Sequence, residues 1–309
     1  MPNKKNDYNP PKCTDKRKEL VAVGCGRCIE CMKQKRRNWQ LRLCEELKIS
    51  NECKFVTLTF SNEWFNELRK EFKGVQGYAL DNSIATLAVR RFLERWRKEH
   101  GKSVRHWLVT ELGQDETERI HLHGIIWNRD LDKIERIWKY GHVWKGKRVN
   151  EILLNYVNEK TINYLIKYVG KIDLKHREYK SIVLCSKGIG ANFIDDKARQ
   201  YNKFNGEKTR EYYVNKQGFK IGLPIYWRNK LWTEEEREKL WTQKLDENIR
   251  FVMGAKFKVE KDYEKFLNVQ KYYQRINEEA GYGNDIKDWS SEQYENELRV
   301  IKHYRMGKK

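Results

Sequence analysis

The chain has 309 residues, enough for one large domain or two modest ones around a substantial core. It holds 64 Lys and Arg against 44 Asp and Glu, a formal net charge of +20, and 13% of its residues are aromatic. That aromatic content argues against a disordered chain; no apolar run approaches the roughly 20 residues of a membrane helix; and the charge calls for an anionic partner, nucleic acid ahead of an acidic membrane surface.

Residues 1–20 are polar and Pro-containing and read as a basic arm, with no apolar stretch of the signal-peptide kind. An intracellular protein is expected, and in that reducing setting its seven Cys read as thiols or metal ligands before disulfides. Residues 21–175 read as the core domain and 176–309 as an accessory region. Cys25, Cys28 and Cys31 have metal-like spacing, with Cys13 or Cys44 available as a fourth ligand for a structural zinc. From Met32 to Lys48, Trp39, Leu43 and Leu47 recur at four-residue spacing, which predicts an amphipathic helix. Its first turns carry Lys33, Lys35, Arg36 and Arg37, with Trp39 behind them, a composition suited to phosphate tracking and base stacking.

Phe55–Phe60 is rich in β-branched and aromatic residues and reads as a strand. A helix over Thr86–Glu99 follows, then strands over Val104–Leu112 and Arg119–Trp127 joined by a turn-like segment, hence an antiparallel hairpin. Leu131–Tyr140 reads as helix, Gly141–Val149 as a short strand, and Ile152–Lys171 as one long helix. Beyond these, Ile182–Leu184 reads as a strand. Thr233 and Glu236 form a capping box that opens a helix to about Asn248, and residues 255–309 read as helical. The order of elements predicts an α+β fold: a central antiparallel sheet flanked by helices, with a helical C-terminal extension.

Three groups of residues could carry chemistry. In a strand, His121 and His123 point to the same face, a ready pair of imidazoles for a divalent metal. The hairpin can bring Glu111 beside them as an anionic third ligand, leaving coordination positions open for catalysis. On a helix, Tyr164 and Tyr168 share one face, as do Lys167 and Lys171, so two phenols lie among cations. A phenol is a poor nucleophile unless cations and a polarised electrophile assist it.

Three blocks, Phe55-Val56-Thr57-Leu58-Thr59-Phe60, His121-Leu122-His123 and the Tyr-x-x-Lys-Tyr-x-x-Lys run from Tyr164 to Lys171, occur here in that order. In this they resemble the replication initiators of microviruses, small single-stranded DNA phages, especially the gokushovirus-like branch, within the HUH endonuclease superfamily. The Cys25–Cys31 run, Ser186-Lys187-Gly188-Ile189-Gly190 and Leu223-Pro224-Ile225-Tyr226 extend the likeness over about residues 25 to 230. The resemblance implies a rolling-circle initiator that nicks and rejoins the single-stranded origin, with Mg²⁺ or Mn²⁺ on His121 and His123. Either Tyr164 or Tyr168 would attack the scissile phosphate, giving a 5′-phosphotyrosine and a free 3′-OH, with Lys167 and Lys171 near the developing charge. It further implies the host bacterial cytoplasm, a host polymerase and a recruited host helicase, since the sequence holds no G-x-x-x-x-G-K-[ST] loop.

Two other readings compete. A zinc-stabilised single-stranded nucleic-acid-binding protein would use the cysteines and the basic helix without cleaving. A non-haem iron oxygenase also uses two histidines and a carboxylate, but pairs a close His-x-Asp/Glu with a distant His.

Overall fold

The computed structural model describes residues 24–26, 28–113, 118–150, 152–171, 175–176 and 178–282. The N-terminal arm, Cys13 and the residues after 282 lie outside them. In chain order the elements are α1 (Ile29–Ile49), β1 (Lys54–Leu58), α2 (Asn62–Arg69), α3 (Gly77–His100), β2 (His106–Leu112), β3 (Ile120–Ile126) and α4 (Leu131–Trp138). There follow β4 (Val143–Trp144), β5 (Lys147–Val149), β6 (Ile152–Leu154), α5 (Glu159–Val169), β7 (Val183–Cys185) and α6 (Asp196–Tyr201). The last are β8 (Tyr212–Val214), β9 (Lys220–Gly222), α7 (Ile225–Leu231), α8 (Glu234–Asp246), β10 (Ile249–Val252), β11 (Ala255–Lys258) and α9 (Val259–Glu279).

Five strands form one sheet in the order β4-β1-β3-β2-β7, with every neighbouring pair antiparallel. The fold is α+β with a central antiparallel sheet, as the sequence predicts. Strand alternation divides the side chains between two faces. Val56, Leu58, Leu108, Leu112, Ile120, Leu122 and Ile126 point to one face, where they pack with Leu68 of α2, the buried side of α3 and Ile134, Ile137 and Trp138 of α4. Trp107, Val109 and Ile125 point to the other, under α1 and α5, where Leu43, Ile162, Leu165, Ile166 and Val169 cover them. Truncating one of these buried side chains, such as Leu165→Ala, costs about 2–5 kcal/mol by the usual cavity effect.

The region after β7 builds a third cluster on α1, with Leu41, Leu223, Trp227, Trp232 and Leu240. Trp227 donates its indole N–H to the Gly190 carbonyl at 2.8 Å. Between these layers, buried Glu46 of α1 accepts from Arg105 and from the Gly190 amide, both through Oε2 at 2.8 and 2.7 Å. The central sheet therefore reaches past residue 175, because β7 is its edge strand.

Several predicted boundaries move. The single helix expected over Ile152–Lys171 is a strand followed by a helix. β6 pairs with β5 around a turn that puts Asn150 at φ 46°, and Asn158 then opens α5 with a capping box to Thr161. Between them, buried Asn155 bridges to β1, accepting from the Phe55 amide at 2.9 Å and donating to the Phe55 carbonyl at 2.7 Å. Residues 249–258, whose second half was expected to be helical, form a β10–β11 hairpin closed by Met253 and Gly254 at positive φ. α2 and the first two turns of α3 have no counterpart in the sequence reading. The capping box at Thr233 and Glu236 is present and starts α8 as predicted.

Candidate metal and tyrosine site

The β2–β3 register places Glu111 directly opposite His121. Glu111, His121 and His123 all point to the α5 side of the sheet, and their ligand atoms lie within 4.8 Å of one another. Glu111 Oε2 is 2.9 Å from His123 Nε2 and 3.3 Å from His121 Nε2. The far nitrogens are tied elsewhere. His121 Nδ1 faces the Arg119 carbonyl at 3.3 Å, and His123 Nδ1 faces the Thr57 hydroxyl at 2.9 Å across the β1–β3 pairing. Facing the carboxylate alone, each Nε2 carries the proton and donates; a shift of that proton to Nδ1, where the Arg119 carbonyl and the Thr57 hydroxyl can accept it, would free both Nε2 lone pairs for a cation, the orientation that metal-binding histidines take from their outer partners. Two imidazoles and a carboxylate converging in this way fit a divalent cation with open positions.

Burial by itself raises the Glu111 carboxyl, but hydrogen bonds from His121, His123 and Lys171 outweigh it and hold the group well below the ordinary carboxylate range. Lys171 Nζ donates to Glu111 Oε1 at 2.7 Å. Burial lowers His123, and Glu111 opposes that shift. The carboxylate is thus ionised and the His123 ring is disposed to be neutral, the states in which each can ligate a metal.

α5 brings the tyrosines to this face because its apolar positions 162, 165, 166 and 169 bind the sheet, leaving 164 and 168 together on the adjoining side. Tyr168 lies flat on His123, with ring centroids 4.3 Å apart and planes 13° apart. Its hydroxyl donates to the Tyr164 hydroxyl at 2.5 Å. Burial, together with that donated bond, pushes the Tyr168 phenol well above its ordinary value. Tyr164 is 48% exposed. The ammonium groups of Lys167 and Lys171 lie 6.0 and 5.9 Å from the centres of the Tyr164 and Tyr168 rings.

The predicted basic run on α1 divides. Lys33 and Arg37 are exposed. Burial lowers Lys35. Arg36 donates to the Gly170 carbonyl at the end of α5, so closely that a Cβ on Gly170 would lie 2.8 Å from its Nε. Trp39 packs edge-on against Trp107 at 5.7 Å and carries the Arg42 guanidinium on its face at 4.2 Å. Its ring is therefore a packing element between α1 and the sheet.

An aromatic wall that the sequence reading did not single out stands beside the tyrosines. Phe55 contacts His123, Tyr164 and Trp144 with centroids 6.3, 6.1 and 5.3 Å apart. Trp144 is 39% exposed and Tyr156 67%. Alternation in β1 is the signal that could have found Phe55 and Thr57, since Val56 and Leu58 are committed to the opposite face.

Cys25, Cys28 and Cys31 also cluster, with their sulfur atoms within 4.8 Å of one another. Cys44 lies thirteen residues further along α1 than Cys31, about 20 Å by helical rise, and packs with the α1–α5 cluster, so it is not their fourth ligand. Burial pushes the Cys28 thiol up to about 12 against the opposing pull of the Cys31 amide. Among the described residues no helix is long and apolar enough to cross a membrane.

No curated protein and no solved structure matches the chain. Residues 53–173 match the family described as replication-associated protein ORF2/G2P. That stretch holds Glu111, both histidines, both tyrosines, both lysines and four of the five strands of the central sheet. The match ends before β7 and leaves out the cysteine turn at the head of α1, so the similarity is confined to the part of the chain that carries the candidate site.

Proposed function

We propose that this protein is a phage rolling-circle replication initiator of the HUH type, which nicks and rejoins single-stranded origin DNA through a tyrosine. The observation that carries the proposal is the stacking of Tyr168 on His123, with Tyr164 hydrogen-bonded to it, because two phenols then adjoin one candidate metal site.

Glu111, His121 and His123 would hold Mg²⁺ or Mn²⁺, which when bound supplies Lewis-acid charge to a phosphate oxygen. The rest of the chemistry belongs to the protein's side chains. A phenolic oxygen of Tyr164 or Tyr168 attacks phosphorus, a Tyr O–P bond forms, and the P–O3′ bond breaks. The phenolic proton passes to solvent, to which Tyr164 is open, and the departing 3′ oxygen takes a proton to become the 3′-OH. The phosphodiester energy is kept in the phosphotyrosine, so the reverse attack by a 3′-OH can reseal the strand without a nucleotide. Lys167 and Lys171 favour the negative charge that builds on the phosphate. The second tyrosine is placed to repeat the reaction after one round of synthesis.

The strand path is supported by the exposed Trp144, which adjoins Tyr164 through Phe55 and on which a base can stack beside the cleavage point. A host polymerase would extend the 3′-OH and a host helicase would open the duplex, in the cytoplasm of the bacterial host.

The test is a denaturing gel of the full chain with origin single strand, in Mn²⁺ or in EDTA. A metal-dependent, heat-stable protein–DNA adduct is expected. A bound strand with neither nick nor adduct would replace this reading with that of a non-cleaving nucleic-acid-binding protein.

A further inference from the structure

The head of α1 is folded around sulfur. The Cys28 amide donates to Cys25 Sγ at 3.2 Å and the Cys31 amide donates to Cys28 Sγ at 3.4 Å. Cys25 and Cys31 Sγ are 3.9 Å apart, and none of the three cysteines is in a disulfide. The backbone closes tightly over the group: a Cβ on Gly24 would lie 2.9 Å from Cys31 Sγ. Three sulfurs that converge, two of them with an amide donor to stabilise a thiolate, form a donor set of a different kind from the carboxylate and imidazoles of the sheet.

The same turn is tied to the far end of the described chain. The Ile29 amide, next to Cys28, donates to Asn277 Oδ1 of α9 at 2.7 Å. Asn277 is buried, and its Nδ2 donates back to the Tyr273 carbonyl at 2.6 Å. The Tyr282 amide donates to the Asn277 carbonyl at 2.7 Å, so the residue closes the end of α9 as it docks on α1. Five residues after Cys31, Arg36 holds the end of α5 from which Lys171 reaches Glu111.

We propose that Cys25, Cys28 and Cys31 bind one Zn²⁺ as a thiolate knuckle that fixes the first turn of α1 and thereby seats α9 on it. Among the described residues no other His, Cys, Asp or Glu joins the trio, so the three sulfurs alone carry the site. Thiolates select Zn²⁺ over the Mg²⁺ or Mn²⁺ suited to the Glu111 group, so the two sites take different ions. Binding releases the thiol protons to solvent and involves no redox step. The inference is independent of the nicking reaction.

The experiment uses the full chain purified without chelator. Elemental analysis should find one zinc per chain, retained in Glu111→Gln and lost in Cys28→Ser and in Cys31→Ser. Because those variants could misfold, the wild-type protein is also exchanged with Co²⁺. An intense near-ultraviolet thiolate-to-cobalt band, saturating at one equivalent, is expected. Chelation should then speed amide hydrogen exchange at residues 28–31 and in the last turn of α9 while leaving β2 and β3 unchanged. Absence of zinc together with absence of the cobalt band overturns the site, as does a Cys25–Cys31 disulfide in freshly purified protein. Zinc that stays while α9 exchange is indifferent to chelation overturns the seating of α9.

Discussion

Helices α1 and α5 lie side by side on one face of the central sheet, and both carry cations and aromatic rings, yet the two helices use them differently. α1 is covered on two sides, by the sheet cluster and by the cluster built after residue 190. Half of its basic run is consequently engaged within the protein, Arg36 on Gly170 and Lys35 desolvated, and beyond the run Arg42 bonds the Ile189 carbonyl and lies between the Trp39 and Tyr226 rings. α5 is covered along one apolar stripe, so its tyrosines and lysines meet at the edge of the face that carries Glu111, His121 and His123. The lesson is that the charge of a segment says little about its role until its periodicity shows which neighbours its side chains meet.

The largest expected effect tests the α5 half of this contrast. Replacing both Tyr164 and Tyr168 by Phe should abolish the covalent protein–DNA adduct while leaving strand affinity and thermal stability nearly unchanged. Adduct formation by the double variant would remove α5 from the chemistry altogether. Glu111→Gln should come next, lowering metal-dependent nicking by about 100-fold or more, as expected when the ion that stabilises the reacting phosphate loses its one anionic ligand. Equal losses of binding and nicking in Glu111→Gln would instead give the carboxylate a purely structural role. Trp144→Ala should be milder, weakening single-strand binding by roughly tenfold, the lower range for loss of one base-stacking ring. Fluorescence anisotropy on short oligonucleotides measures it, and unchanged affinity would place the strand away from the Phe55 wall.

Much of this arrangement is legible in the sequence. Strict alternation around His121-Leu122-His123 puts both imidazoles on one face, and the ten-residue separation of Glu111 from His121 allows the cross-strand pairing that β2 and β3 adopt. Helical spacing likewise placed the tyrosines together. What escaped the sequence was set by contacts distant in the chain. Trp39 looked available for stacking, but only tertiary packing brings Trp107 against it. The start of α5 has a local signal in the Asn158–Thr161 capping box, but the strand-like segment before it depends on Asn155 bonding Phe55, a hundred residues away. Trp144 is distinguished by exposure alone, which periodicity in a two-residue strand cannot convey.

The smallest effects separate two kinds of cation on α1. Arg36→Ala removes a charged donor from the Gly170 carbonyl and should cost about 1–2 kcal/mol of stability, read as a lowered denaturant midpoint. Strand affinity of the folded protein should hardly change, because this guanidinium is turned toward α5. Lys33 and Arg37 are exposed and contribute little to packing, so replacing both by Ala should leave stability within about 0.5 kcal/mol of wild type. If these two side chains each neutralise a phosphate, the slope of log K against log salt should become shallower by about 0.7 for each one removed. The affinity loss would then be largest at low salt and fade as salt rises. A parallel shift at all salt concentrations would mean that the double variant had disturbed the protein instead of its field. An unchanged slope would leave the exposed cations of α1 outside the DNA contact, and the charge that meets DNA would lie nearer Lys167 and Lys171.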